Sequence, residues 1–428
     1  SVACIKTFVP GVKLWSPEFP NLYTLEIALM NKKKTIHVVS EKFGFRTIEL
    51  RERDGIYLNG VKIKFRGICR HSFWPESGRT LCKNISINDA EMIKDMNMNA
   101  VRNSHYPADK HFYDVCDSVG LLILDELAGW HDYYDSATGA RLVKEMIEFN
   151  GNHPSVIMWV NGNEGGHNHA LLGIYDQTDI QKRPVIHAWE TFRGTDTQHY
   201  INYDYGAGTH FHGHNIFFPT EFLHGLYDGG HGAGLDDYWS LMLQNPLSAG
   251  GFLWNFADEG VIRTDRNNEI DTDGNHGADG IVGPFRQKEA SFYTVKEVWS
   301  PLYLQPQEIT TAFDGKLCIE NRFSFTNTRL CKFVIRLLRI PLPFTGNNAG
   351  EFVRTLFSPD IPPGQKGYLN LDLPENWRQY DVLYLTASDP YGREIFTWSL
   401  PISMPETIAQ KIINESGNKP VKTYEDDS

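Results

Sequence analysis

Between about residues 56 and 305 the chain alternates short apolar runs with stretches of helical spacing, and this alternation limits the fold more than any other feature. The runs are KIKFRGI (62–68), NAVRNSH (99–105), LLILDE (121–126), SVIMWVNGNE (155–164), PVIHAW (184–189), HYINYDY (199–205), NIFFPTE (215–221) and AGGFLWNFAD (249–258). INDAEMIKDMNM, which opens on an Asn-Asp pair suited to an N-cap, DKHFYDVCDSVG and ARLVKEMIEFNGN have the spacing of amphipathic helices. Eight strand candidates joined by helical crossovers predict a TIM (β/α)8 barrel over residues 51–305. The C-terminal strand ends of such a barrel form its active-site face. Polar residues stand at those ends: His71, His105, Asp125, Glu126, Glu164, Glu221 and Asp258.

The flanks read as β. TLEIALM and TIHVVSEKF, joined by NKKK and preceded by the proline-containing LWSPEFPNLY, predict part of an immunoglobulin-like β-sandwich over residues 1–50. So few strands cannot enclose a core, so the remainder of that sandwich is expected upstream. Alternating runs from KLCIENRFSFTN to EIFTWSLPI predict a complete second sandwich over 306–403, followed by an acidic tail, 404–428. The fold class expected is therefore α/β, a TIM barrel flanked by a partial N-terminal and a complete C-terminal β-sandwich.

Composition excludes some partners. With 41 Lys and Arg against 53 Asp and Glu, the net charge is −12, which repels nucleic acid and anionic membranes. No apolar run is long enough to span a bilayer, so no membrane insertion is expected. The six cysteines show no C-x-x-C pair and read as scattered buried thiols. SVACIKTFVP lacks the layout of a signal peptide, and localisation stays open. A homo-oligomer is compatible with the sequence.

Glu164 closes the fourth candidate strand and Glu221 the seventh, so both reach the barrel mouth. Carboxylates flanking one bond are the equipment of glycoside hydrolysis. The glycines at 165 and 166 let the chain turn away and leave room for a sugar. Spacing alone leaves a second reading open, in which the glutamates face solvent or are structurally paired.

GIYLNGVKIKFRGICRHSFWPESGRT, MNMNAVRNSHYP, LLILDE, NHPSVIMWVNGNEGGHN, PTEFLHG and GGFLWNFADEG, in this order, resemble glycoside hydrolase family 2, in its β-galactosidase-like branch. The resemblance implies a retaining exo-β-glycosidase with Glu164 as acid/base and Glu221 as nucleophile. It implies substrate-side roles for His71, Arg102, His105 and His224, an Asn163 bond to the sugar 2-hydroxyl, and Trp254 stacking on the sugar. Tyr203 or Tyr205, at the end of the sixth strand, is expected to hydrogen-bond the nucleophile, with Tyr203 the one chosen. No cofactor and no metal are expected. Trp130 and Asp132 stand where the best-known galactosidases carry an acidic residue and a histidine as magnesium ligands, and no N-x-K motif of the kind that marks β-glucuronidases follows Glu221. A carbohydrate substrate is the expected partner.

Rival readings are an inactive carbohydrate-binding fragment, another β-glycosidase specificity such as β-glucuronidase or β-mannosidase, and a metal-dependent amidohydrolase built on THFHGH (209–214). One further expectation concerns charge. Close carboxylates repel, so Glu164 is expected to titrate high, while Arg102 holds Glu221 low.

Overall fold

The computed structural model describes residues 5–201, 213–225, 232, 234–305, 308–341 and 350–415. It forms two compact units that divide between Trp299 and Ser300.

The first unit opens with a hairpin of β1 (Tyr23–Asn31) and β2 (Lys34–Phe43), then a three-stranded meander of β3 (Ile48–Arg51), β4 (Gly55–Leu58) and β5 (Val61–Ile63). The barrel follows. Strands β6 (Phe65–Arg70), β7 (Ala100–Asn103), β8 (Leu122–Trp130), β9 (Val156–Asn163) and β10 (Val185–Ile186) lie side by side and parallel. The crossovers are α1 (Lys83–Asp95), α2 (Lys110–Val119), α3 (Ser136–Asn150) and α4 (Leu172–Thr178). A short β11 (Thr191–Phe192) pairs with β12 (Thr195–Asp196), which runs parallel to β13 (Ile216–Phe217). After α5 (Leu235–Gln244), β14 (Gly250–Leu253) pairs with β6. Parallel bridges from Phe217 to Ser248 and from Phe222 to Leu253 join the seventh and eighth positions. Apolar residues on the strands, among them Trp159, Ile123, Val101 and Leu253, pack under the helices through Phe112, Val143 and Phe292. The hairpin of β15 (Val261–Arg263) and β16 (Glu269–Asp271) and the helix α6 (Ala290–Val298) complete the unit.

Two boundaries depart from expectation. The sixth barrel position is filled by Thr195–Asp196, not by HYINYDY; His199 to Ile201 lie outside any strand, and residues 202–205 fall outside those described. Thr195, Asp196 and Thr197 are buried and polar, and the Thr197 hydroxyl donates to the His187 carbonyl (2.6 Å). A strand satisfied by polar side chains shows no apolar alternation. Helix α1 starts at Lys83, so Asp89 is no cap. It sits fully buried in mid-helix, where Arg70 and Arg286 both donate to it (2.8 and 2.6 Å).

Residues 14–21 clasp the barrel. Trp15 is fully buried, and its indole donates to the Asp117 carbonyl (2.8 Å). Asn59 donates to the Trp15 carbonyl (2.9 Å), and Lys94 to that of Pro17 (3.0 Å). The β1–β2 hairpin is different: Leu25, Ile27, Leu29, Ile36 and Val38 are all exposed. A ribbon of two strands with open faces has no core of its own.

In the second unit β17 (Leu302–Leu304), β18 (Lys316–Asn321) and β21 (Lys366–Asn370) form one sheet. The other contains β19 (Lys332–Arg339), β20 (Gly350–Thr355), β22 (Val382–Ser388) and β23 (Glu394–Pro401). Leu317, Ile319, Phe333, Ile335, Leu369 and Leu385 fill the space between them, as in a two-sheet sandwich. Residues Pro405–Glu415 form helix α7 at the head of the expected tail. Among the described residues, no helix is long and apolar enough to cross a membrane.

Burial separates the energetics of clasp and hairpin. Trp15→Ala should lower the unfolding free energy by about 3–5 kcal/mol, the range for emptying a buried indole site. Leu29→Lys on β1 should change it by no more than about 0.5 kcal/mol. Urea denaturation of both variants checks this, and equal losses would contradict it.

Candidate active site

Arg102 stands on β7, where all four residues are buried, and the arginine itself has no exposure. A cation in that position needs acceptors for every donor. Its Nε and Nη2 donate to the two oxygens of Glu126 on β8 (2.7 and 3.0 Å). Nη1 donates to Glu221 Oε1 (2.7 Å) and to the Thr220 carbonyl (3.2 Å). Nη2 also donates to Asn163 Oδ1 at the end of β9 (2.8 Å). One guanidinium thus ties three barrel strands to the segment that follows β13.

Glu221 is almost fully buried. Its second oxygen accepts from the Tyr200 hydroxyl. Burial pushes this carboxyl up, but His199, Arg102, His105 and the Tyr200 hydrogen bond together hold it below the usual carboxylate range. That direction was expected.

Glu164 follows β9 directly. Its own φ is +34° and that of Gly165 is +81°, so the chain turns sharply at the tip. Gly165 fits the expected turn, with nothing nearer than 4.0 Å to an added Cβ. Gly166 serves another purpose: a Cβ there would lie 2.3 Å from the Gly129 carbonyl carbon, because β8 and the turn are in close contact. That contact brings in Trp130, whose indole donates to Glu164 Oε2 (2.8 Å). His199 Nδ1 lies 3.0 Å from Glu164 Oε1. Burial pushes Glu164 up, yet the bonds to His199 and Trp130 outweigh it and bring the carboxyl down to about 2. The expected upward shift is therefore reversed. The expected repulsion between the two glutamates is offset by the imidazole that stands between them: His199 Nδ1 is also 3.5 Å from Glu221 Oε2. One oxygen of each glutamate and one ring nitrogen of His199 all lie within 4.8 Å of one another.

The remaining expected residues gather around Trp254, with His105 reaching Glu221. His105 Nδ1 is 3.1 Å from Glu126 Oε1, and its Nε2 is 3.8 Å from Glu221 Oε1. Its ring stacks on Trp254 at 5.2 Å and 10°, covering one face of the indole. Trp254 donates through its indole nitrogen to Asp279 Oδ2 (2.9 Å), and His224 Nε2 is 3.2 Å from the same oxygen. His71 meets the Tyr106 hydroxyl (3.1 Å) and lies 3.5 Å from Glu259. Tyr203 lies outside the described residues, and Tyr200 makes the bond to Glu221 that was expected of Tyr203. Asp125 is turned away from the cleft: Tyr113, Asn103 and Asn150 all donate to it (2.6, 3.0 and 2.9 Å).

Sequence reasoning missed His199, Tyr200, Trp130, Glu259 and Asp279. The adjacent pair in QHYINY was a usable signal, since it precedes the Tyr cluster already singled out. Glu259 and Asp279 follow the eighth strand, where no periodicity marks a functional position.

The residues do not fit a divalent ion after β8. Trp130 presents an N–H donor where a ligand oxygen would be needed, and that donor is engaged with Glu164. His167, His187 and Glu190 also lie close together. There the Asn161 amide donates both to the Asn168 carbonyl (3.1 Å) and to His187 Nε2 (3.3 Å), leaving His187 Nδ1 to donate to Glu190 (2.9 Å). The buried His167 Nε2 and Asn161 Oδ1 have no hydrogen-bond partner there, so the chain is not closed. In THFHGH, His214 is exposed, and His210 and His212 lie outside the described residues.

The sequence matches the TIM barrel domain of glycosyl hydrolases family 2 over residues 48–205, and a further glycosyl hydrolases family 2 domain over residues 2–46. These matches support a member of glycoside hydrolase family 2. A β-galactosidase of Lactococcus lactis is 29% identical over 373 residues, covering 78% of this chain and 37% of that protein. The chain therefore spans well under half the length of such curated relatives. A glycosyl hydrolase family 2 member from Bacteroides cellulosilyticus superposes with a TM-score of 0.55 over 91% of this chain and 53% of that one, at 21% identity. A Faecalibacterium prausnitzii β-glucuronidase does so with a TM-score of 0.55 over 68% of this chain and 57% of that one, at 25% identity.

Glu259 gives a pH prediction. Burial, then the Asp279 charge, pushes its carboxyl up to about 8. A carboxyl raised on folding favours the native state at low pH, and that contribution is lost as pH rises from the unfolded value near 4.5 through 8. Glu259→Gln should therefore gain thermal stability relative to the parent as pH is raised from about 5 to 9. A melting-temperature difference that stays flat across this range would contradict the assignment.

Proposed function

We propose that this chain is the catalytic portion of a retaining exo-β-glycosidase that removes a terminal uncharged β-linked sugar, a β-galactoside in the first instance. The observation that carries the reading is the pairing of two unlike carboxylates with their nearest oxygens inside 4.8 Å. Retaining enzymes hold the two groups about 5–5.5 Å apart, whereas inverting ones leave about 6.5–9.5 Å for a water.

The surroundings support one assignment of roles. Glu221 is buried and gripped by Arg102 and Tyr200, so it is ionised and fixed, as a nucleophile at the sugar C1 has to be. Glu164 is half-buried on a turn at the barrel mouth, where it can reach the leaving oxygen. In the first step Glu221 attacks C1 while Glu164 delivers a proton to the departing oxygen. In the second, water attacks C1, its proton passes to Glu164, and Glu221 is released with net retention. Asn163 gives its oxygen to Arg102, which orients the amide so that its nitrogen is the end available to a sugar 2-hydroxyl.

Charge favours a neutral sugar. Asp279 is pushed up to about 6, chiefly by burial, and Glu259 to about 8. The end of the pocket formed by Glu259 and Asp279, unlike the part around Glu164 and Glu221, opposes ionisation of its carboxyls and would oppose a uronate carboxylate placed there for the same reason. Arg102, the guanidinium at the centre, is already engaged by Glu126, Glu221 and Asn163.

Two measurements test this. Aryl β-galactoside should exceed aryl β-glucuronide in kcat/KM by about tenfold or more; the reverse order would refute the neutral-sugar reading. With azide present, Glu164→Ala should yield a β-glycosyl azide from a dinitrophenyl glycoside, and Glu221→Ala an α-azide. The opposite stereochemistry would exchange the two roles.

A further inference from the structure

An acid/base has to hold a proton before the leaving group departs, yet the surroundings of Glu164 favour its carboxylate. The hydrogen-bond chain behind it indicates where the proton is kept. The side chain of His199 is fully buried. Its Nε2 is 2.8 Å from the Thr220 hydroxyl, and its Nδ1 is 3.0 Å from Glu164 Oε1. The Thr220 hydroxyl has one hydrogen, which it donates to the Thr197 carbonyl (3.1 Å), so toward His199 it can only accept. Nε2 therefore carries a hydrogen. If Nδ1 were bare, its lone pair would face two carboxylates, at 3.0 Å and 3.5 Å. A proton must lie between Nδ1 and Glu164.

We propose that His199 and Glu164 hold one catalytic proton in common, with His199 the positioning residue that stores it. The inference rests on Glu164 being the acid/base. The other groups facing His199 fit this arrangement. Trp189 stacks on the imidazole at 5.8 Å and 4°, a geometry that favours a cationic ring. Tyr200, edge-on at 5.7 Å, donates its hydroxyl to Glu221, and Arg102 and His105 approach Glu221 from the other side. Glu221 is thus served by its own donors, and the proton at Nδ1 remains with Glu164.

Protons balance over the cycle. In glycosylation the bond from C1 to the leaving oxygen breaks, that from C1 to Glu221 forms, and the shared proton goes to the leaving oxygen. The pair is then left as neutral imidazole and carboxylate. In deglycosylation a water O–H bond breaks and returns one proton to the pair, while C1 exchanges Glu221 for the water oxygen.

The test is 15N NMR of histidine-labelled protein at pH 7, read against Glu164→Gln. The parent should show a His199 ring protonated at both nitrogens or sharing the Nδ1 proton, and Glu164→Gln should convert it to the neutral Nε2–H form. A neutral Nδ1–H ring with bare Nε2 in the parent would overturn the proposal. His199→Gln supplies a second readout. Its kcat/KM for an unactivated alkyl glycoside should lose its alkaline limb on the order of one pH unit earlier, while turnover of a dinitrophenyl glycoside in the first step is spared. A uniform drop with unmoved limbs would reduce His199 to a structural part. Failure of the azide stereochemistry would remove the acid/base assignment instead, so the two claims fail separately.

Discussion

A positive charge with no access to water stands at the centre of the barrel mouth. Arg102 has no exposure, and removing it would leave Glu126 and Glu221 as close, buried and uncompensated anions. Its planar fork meets Glu126 with two donors and Glu221 with a third. The positions of Glu221, Asn163 and His105 all follow from that one group. A lysine could not replace it, because an ammonium has three donors radiating from one nitrogen, whereas Arg102 reaches Glu126, Glu221, Asn163 and the Thr220 carbonyl from three separate nitrogens.

The two glutamates differ because their neighbours differ. Glu221 is met by a guanidinium and a phenol deep in the barrel, whereas Glu164 is met by an indole and an imidazole at the rim. Trp130 reaches Glu164 because β8 pairs with β9 at Trp130 and Asn163, and because Gly129 and Gly166 allow the two backbones to touch. The indole therefore occupies the place where relatives of this kind were expected to supply metal ligands. A neutral indole donor meets Glu164 on that side.

Much of the fold was legible in the sequence because barrel strands buried on both faces read as apolar runs. LLILDE and SVIMWVNGNE became β8 and β9 with little change. The sixth strand was not legible, since Thr195 to Thr197 satisfy their burial with hydroxyls and carboxylate, not with apolar side chains. At the site, Glu164 and Glu221 stood out because their charge ends an apolar run, whereas Arg102 was indicated by the family resemblance. His199, Tyr200, Glu259 and Asp279 lie on connections whose course only the folded chain defines. The direction of the Glu164 shift was misjudged for the same reason: pair repulsion can be inferred from two glutamates in sequence, but an intervening imidazole cannot.

The claim on which the account depends is that Glu221 forms a covalent bond to the sugar. Incubation with a 2-deoxy-2-fluoro-β-galactosyl substrate bearing an activated leaving group, followed by proteolysis and peptide mass mapping, tests this directly. The account predicts a single fluorosugar adduct on the peptide containing PTEF, localised to Glu221. An adduct on Glu164, or turnover to the inverted product with no adduct, would contradict it.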